Sequence, residues 1–107
     1  MHIAADELLQ ELARIDATMA QAIRHAGQGC DPDFERRLDA HARSLRVMLD
    51  VEGAGVAQDA IDAARRVMEA EDPAAPLLML AMARNTLAAV VRRQATRSDE
   101  FASARAA

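Results

Sequence analysis

The sequence predicts an all-α fold, an antiparallel up-and-down four-helix bundle. Apolar residues make up 51% of the 107 residues, and alanine, the strongest helix former, supplies a large share of them. The chain has only three prolines and four glycines. Between these breaks the apolar residues recur every three or four positions, which is the spacing of one helix face. Short breaks between long helices predict antiparallel neighbours.

The first helix is predicted over residues 5–26. Its apolar stripe alternates spacings of four and three and consists of Leu8, Leu12, Ile15, Met19, Ala22 and Ala26. Gly27 and Gly29 are expected to end this helix, because glycine readily adopts the left-handed conformation that closes a helix.

The second helix is predicted to begin with Asp31 as its N-cap and Pro32 at its first position. Its apolar stripe consists of Phe34, Leu38, His41, Leu45, Met48 and Leu49. Gly53 and Gly55 are predicted to break this helix, so the third helix is expected over residues 56–70.

The pair Asp72-Pro73 repeats the cap-plus-proline pattern and is predicted to start the fourth helix. This helix is expected to run to about Thr96. Residues 98–107 are predicted to form a flexible tail, which leaves residues 1–97 as a single bundle domain. The inward positions of the fourth helix are predicted to be Leu77, Leu80, Leu87, Val90 and Val91.

Composition excludes several functional classes. The net charge of −4 argues against nucleic-acid binding, which needs a basic surface. The sequence has no uninterrupted run of about 18 apolar residues, so no membrane span is predicted. The N-terminus has no basic region followed by an apolar stretch, and Cys30 is the only cysteine, so a cytoplasmic protein is expected. The strong transition-metal ligands, Cys30 with His2, His25 and His41, form no compact pair on one helix face, so neither a metal nor another cofactor is predicted.

The segment of residues 42–54 carries a further pattern, ARSLRVMLDVEGA. On a helix, Arg43 points away from the apolar stripe to which Leu45 belongs. Arg46 follows three positions after Arg43, and a Gly-Ala pair lies ten positions after it. The pattern resembles the signature helix of histidine-phosphotransfer (HPt) domains, with Arg43 at the position of the phospho-accepting histidine.

The resemblance implies a four-helix signalling module that keeps its docking face and has lost its chemistry. A guanidinium is always protonated and cannot accept a phosphoryl group. Val47 stands where HPt domains have a glycine that lets the partner approach. The implied partner is a receiver domain, a histidine kinase or another regulatory protein, which would contact Arg43, Arg46 and Val47.

His41 offers a rival register in which it is the phosphate acceptor. In that register Arg43 and Ser44 fall where an apolar and a basic residue belong. His41 also lies in the middle of the apolar stripe, whereas an acceptor must be exposed. The alternative interpretation is a core or boundary histidine with a hydrogen-bond partner.

The fourth helix suggests a second class of function. Residues 77–83 read LLMLAMA and are apolar on every side. With Leu80 facing the core, Leu78, Met79 and Met82 are left on another face, where methionine suits adaptable binding surfaces. They predict either Met-filled core gaps or a surface for a partner or a second copy, as in a chaperone-like or anti-activator adaptor. No trio of catalytic groups is visible, so an enzyme is not predicted.

Overall fold

The computed structural model describes residues 4–106 and confirms the predicted all-α four-helix bundle. The helices in chain order are α1 (Ala5–Arg24), α2 (Pro32–Met48), α3 (Val51–Glu69) and α4 (Ala74–Ala106). Helices α1, α3 and α4 pack on one another, and α2 packs against α1 and α3. The ion pair between Asp16 of α1 and Arg84 of α4, 2.8 Å apart, ties together two antiparallel neighbours.

The core is aliphatic around a single aromatic ring. Phe34 is 1% exposed and is the largest fully buried side chain. Small residues in α3, notably Ala60 and Ala64, are also fully buried, which allows neighbouring helices to approach closely. Every helix contributes at least one large side chain to this core: Leu8, Ile15, Met19, Leu38, Leu45, Ile61, Val67, Leu80, Leu87 and Val91.

The loop between α1 and α2 confirms the predicted role of its glycines. Gly27 and Gly29 have φ angles of 80° and 84°, a region that favours glycine. Their backbone amides donate to the carbonyl oxygens of Val67 (2.9 Å) and Met68 (2.7 Å). The loop therefore satisfies carbonyl groups at the end of α3 that would otherwise lack partners.

The boundary between α2 and α3 differs from the prediction. Helix α2 ends at Met48, and Gly53 and Gly55 lie inside α3 instead of breaking α2. Asp50 is the reason: it is the N-cap of α3, and its side chain accepts a hydrogen bond from the Gly53 amide at 2.8 Å. Gly53 is buried because α4 passes close by, and a Cβ there would lie 3.1 Å from Val90 Cγ1.

A glutamine of α4 holds this corner in place. Gln94 Nε2 donates to the carbonyl oxygen of Met48 at 2.7 Å. Its Oε1 accepts from the amide of Asp50 at 3.2 Å. The end of α2 and the start of α3 are thus both fastened to α4 by one side chain.

Helix α4 is longer than predicted. It continues to Ala106 instead of ending near Thr96, so residues 98–106 extend the helix, while residue 107 of the predicted tail lies outside the described residues. Residues 1–3 of the predicted bundle domain also lie outside them. The segment after Thr96 contains neither proline nor glycine, and nothing in its sequence stops the helix.

The two glycines of α3 make a matched pair of test positions. We expect Gly55→Leu to raise the free energy of unfolding by about 0.5–1 kcal/mol, because glycine is a poor helix former and open space surrounds this position. We expect Gly53→Leu to lower it by about 1–3 kcal/mol, because the new side chain meets Val90 and Leu49. Urea denaturation followed by circular dichroism measures both. Equal effects at the two positions would contradict the close approach of α4 to Gly53.

Candidate interaction surfaces

The outward face of α2 has the orientation that the sequence predicts. Arg43, Arg46 and Val47 are exposed, and Leu45 is fully buried. Val47 is 78% exposed, and Val51 at the start of α3 is 93% exposed. The end of α2 and the start of α3 therefore present two arginines and two exposed valines.

One element of the HPt pattern is absent from this structure. In the predicted register Gly53-Ala54 should end the signature helix, but both residues lie in the first turns of α3. The helix that carries Arg43 already ends at Met48. The structure thus retains the outward arginine and the buried flanking position, but it lacks the helix end that the pattern calls for.

His41 lies at the centre of a hydrogen-bonded network that joins α1 to α2. Its side chain is 13% exposed, and Nδ1 lies 3.0 Å from Glu11 Oε1. Nε2 lies 2.9 Å from Thr18 Oγ1, which also lies 3.3 Å from the carbonyl oxygen of Arg14. The second Glu11 oxygen, Oε2, accepts from Arg14 Nε at 3.0 Å. These contacts confirm the interpretation of His41 as a boundary histidine with partners inside the bundle.

The network has the order of a nucleophile, a base and an orienting carboxylate, but not the access that catalysis needs. Thr18 is 6% exposed and Glu11 is 4% exposed. A substrate could not reach the Thr18 hydroxyl without separating α1 from α2, and both His41 nitrogens are engaged. The geometry fits a structural role, because buried polar groups require such partners.

Cys30 lies in an electronegative corner formed by the α1–α2 loop, α2 and α3. Burial together with the charges of Glu35 and Glu69 raises the pKa of the Cys30 thiol to about 11. The thiol is therefore protonated near neutral pH and is a poor nucleophile.

The same corner contains possible metal ligands. Atoms of Cys30, Glu35 and Glu69 all lie within 4.8 Å of one another. However, Glu35 already accepts from Arg65 Nε at 3.1 Å. Burial alone would lower the pKa of Arg65, but the hydrogen bond and charge of Glu35, with Asp62 and Asp39, raise it. Arg65 thus already supplies the positive charge of this cluster. His2, another residue considered as a ligand, lies outside the described residues.

A groove between α1 and α4 contains the Asp16–Arg84 pair. Its volume is about 480 Å³. Arg84 donates to Asp16 Oδ1 through Nε (3.0 Å) and Nη2 (2.8 Å). This pairing satisfies both side chains within the bundle. The groove is lined by Leu9, Leu12, Ala13, Asp16, Ala81, Arg84, Asn85, Ala88 and Arg92.

The outward face of α4 is apolar and exposed. Leu78, Met79 and Met82 are 65%, 50% and 62% exposed, whereas Leu80 and Leu87 on the opposite side are fully buried. These residues of α4 therefore do not fill core gaps. We call the surface formed by Leu78, Met79 and Met82 the α4 face.

The exposure of α4 extends beyond these side chains. An 18-residue window within Ala74–Phe101 is long and apolar enough to cross a membrane by length and composition, yet only 22% of it is buried in the bundle. The buried side of α4 packs into the core, and Arg84 pairs with Asp16 of α1. Helix α4 is therefore a bundle helix with one side uncovered.

Glu11 and Thr18 were not predicted as site residues, although the sequence contains a signal for both. Glu11 lies three positions after Leu8, and Thr18 lies three positions after Ile15. Leu8 and Ile15 both belong to the apolar stripe of α1. This spacing places both polar side chains at the edge of the buried face. A polar pair at core spacing, opposite a histidine in the next stripe, would have predicted the network.

Comparison of the chain with protein families, with characterised proteins and with solved structures finds no match.

Proposed function

We propose that this protein is a non-catalytic helical interaction module that binds another protein chain through the α4 face. Its Leu78, Met79 and Met82 side chains are half or more exposed. Full burial of such a side chain contributes about 1.5–3 kcal/mol. Uncovered apolar groups of this size, grouped on one helix, are typical of protein-binding surfaces. This grouped exposure is the observation that carries the proposal.

The electrostatic setting of the α4 face supports a protein as its occupant. No charged residue occurs from Pro73 to Ala83. A groove of about 250 Å³ runs beside the face, between α4 and α3. Its lining consists of Met79 and Ala83 of α4 with Asp59, Asp62, Ala63 and Arg66 of α3. The charges beside the apolar surface are thus of both signs, unlike the cluster of basic residues that an anionic lipid bilayer attracts.

A second candidate function places the binding surface on the outer face of α2. The observation that favours it is the outward orientation of Arg43 and Arg46 beside the exposed Val47. An inert HPt-like module would use this surface to bind a receiver domain or a kinase. The α4 face is the stronger candidate because its apolar area is larger and Gly53-Ala54 does not end α2.

Two pairs of substitutions distinguish these surfaces. We expect Leu78→Glu/Met82→Glu to abolish assembly of the full chain with itself or with a stoichiometric partner, measured by light scattering and by capture from the cells that express it. Circular dichroism should show unchanged helical content, because both side chains face outward. The matched control is Val47→Glu/Val51→Glu, which places the same charges on the other exposed apolar site.

The outcomes separate the proposals clearly. Loss of assembly in the α4 pair alone supports the α4 face. Loss in the Val47 and Val51 pair alone would overturn this proposal in favour of α2. Binding of the wild-type chain to phosphatidylglycerol vesicles, lost in the α4 pair, would overturn it in favour of a membrane.

A further inference from the structure

Two exposed alanines of α4 lie at equal distances from Met82 of the α4 face. Ala75 and Ala89 lie seven positions before and after Met82, and both are exposed. With about 100° between successive residues, these positions and Leu78 fall on one side of the helix. Small side chains thus lie toward both ends of this side of α4. The large apolar side chains between them end at Met82, and the exposed Asn85 and Thr86 follow.

Charges flank this face on both sides, acidic residues in the loop that precedes α4 and arginines within α4. Glu71 lies eleven positions before Met82 and Arg93 lies eleven positions after it. Asp72 and Arg92 are related in the same way, at ten positions on either side. The exposed side of α4 between them carries no charge, because Arg84 pairs inward with Asp16. Along the chain, the order is therefore acidic, apolar and basic.

These flanking charges are not used within the protein. In the part of the chain that the structure describes, Glu71, Arg92 and Arg93 are exposed and take part in none of the ion pairs. Arg97, one turn further along, instead contacts Asp50 at 3.4 Å. Glu71, Arg92 and Arg93 thus remain available for another molecule. Asp72 accepts a hydrogen bond from the Ala74 amide at 3.2 Å and takes part in no ion pair among the described residues.

We propose that the α4 face binds the α4 face of a second copy of this chain, with the two helices antiparallel and crossing at Met82. This inference rests on the proposed function and names its partner. In this arrangement Glu71 of each copy faces Arg93 of the other, and Asp72 faces Arg92. A parallel arrangement would instead place acidic residues against each other and arginines against each other, which is unfavourable.

The proposed contact has the features of a reversible dimer. The opposed alanines, Ala75 and Ala89, allow the helices to approach closely along a segment about 21 Å long, given the helical rise of 1.5 Å per residue. Exposed ion pairs contribute little affinity, so the charges set the direction and register, and the apolar centre holds the copies together. A single helix pair is a small interface, and we expect the dimer to dissociate on dilution.

A charge exchange tests the antiparallel pairing. We expect Glu71→Arg alone or Arg93→Glu alone to weaken self-association about tenfold, because each change opposes like charges at both ends of the interface. An equimolar mixture of the two variants should dimerise as the wild type does, since every pair is then restored between unlike chains. Sedimentation velocity measures both effects. A mixture no tighter than either variant alone would overturn the pairing.

Disulfide cross-linking tests the register in the full chain. Cys30→Ser removes the only cysteine, so a single new cysteine can be placed at will. We expect Met82→Cys to form a cross-linked dimer on mild oxidation. Ala75→Cys alone should not, because its two copies would lie about 21 Å apart, three times the reach of a disulfide. Ala89→Cys alone should fail for the same reason, but a mixture of the Ala75→Cys and Ala89→Cys chains should cross-link.

The results also separate this inference from the proposed function. Cross-linking of Ala75→Cys to itself would overturn the antiparallel pairing. In another outcome the wild type is monomeric and binds a different protein that Leu78→Glu/Met82→Glu no longer binds. This result would overturn the dimer, while the proposed function stands. A monomeric wild type with no effect of these substitutions would overturn both.

Discussion

His41→Leu is expected to lower the free energy of unfolding by about 3 kcal/mol, because it leaves a charged carboxylate inside the bundle with too few partners. Glu11 is 4% exposed, and its Oε1 lies 3.0 Å from His41 Nδ1. Without the imidazole, Glu11 keeps only the bond from Arg14 to its other oxygen. The Thr18 hydroxyl also loses a partner. Urea denaturation at pH 7 measures the change.

Two further variants define the origin of this effect. His25 is exposed, so His25→Leu should change stability by less than about 0.5 kcal/mol. The double variant Glu11→Leu/His41→Leu should be more stable than His41→Leu, because it removes the stranded carboxylate and replaces the pair with apolar groups. A double variant less stable than His41→Leu would contradict the role assigned to the Glu11–His41 pair.

Phe34→Ala is expected to lower the free energy of unfolding by about 3–5 kcal/mol, the effect of removing a large buried side chain and leaving a cavity. Phe34 is 1% exposed and is the largest fully buried side chain. Small domains are stable by only about 5–15 kcal/mol, so this substitution alone removes a large part of the total. Thermal and urea denaturation followed by circular dichroism measure it.

Phe34→Ala removes the ring without disturbing the N-cap of α2, and Val47→Ala serves as its control. The Asp31 side chain accepts from the backbone amide of Phe34 at 2.7 Å, a cap that Phe34→Ala leaves intact. Val47→Ala removes an apolar side chain that is 78% exposed and should have little effect. A loss below about 1 kcal/mol in Phe34→Ala would mean that the ring does not fill the core as the structure indicates.

Periodicity was sufficient to predict the fold where strong breaks frame the helices. Gly27 and Gly29 mark the end of α1, and Asp31-Pro32 marks the start of α2. The prediction was wrong where two signals competed. Gly53 suggested a break, but Asp50 caps a helix three positions earlier, and an N-cap tolerates a glycine in the turn that follows. The capping aspartate was the more informative residue.

The interaction surfaces were only partly predictable for a different reason. The outward position of Arg43 follows from helix geometry, since it lies opposite the apolar stripe. Whether Leu78 and Met82 fill the core or face solvent depends on how many helices surround α4. The sequence of α4 alone does not determine that number. The partners of His41 lie on another helix, 30 and 23 positions away in the chain, so they required the tertiary arrangement.

The resemblance to HPt domains remains a hypothesis. The four helices and the outward Arg43 agree with it. The end of α2 at Met48 does not. An HPt-like docking surface on α2 therefore remains the second hypothesis, and the α4 face is the surface on which the account of function rests.

Methionine oxidation of the unmodified protein tests most directly whether another chain covers the α4 face. Met79 and Met82 are 50% and 62% exposed in one copy, whereas Met19 and Met68, at 1% and 6%, are internal references. Hydrogen peroxide converts accessible methionine to the sulfoxide, and peptide mass spectrometry gives the rate at each position. We predict that Met79 and Met82 are protected at high protein concentration and become reactive on dilution. Rapid oxidation of both at every concentration, with Met19 and Met68 still protected, would contradict a self-associating α4 face.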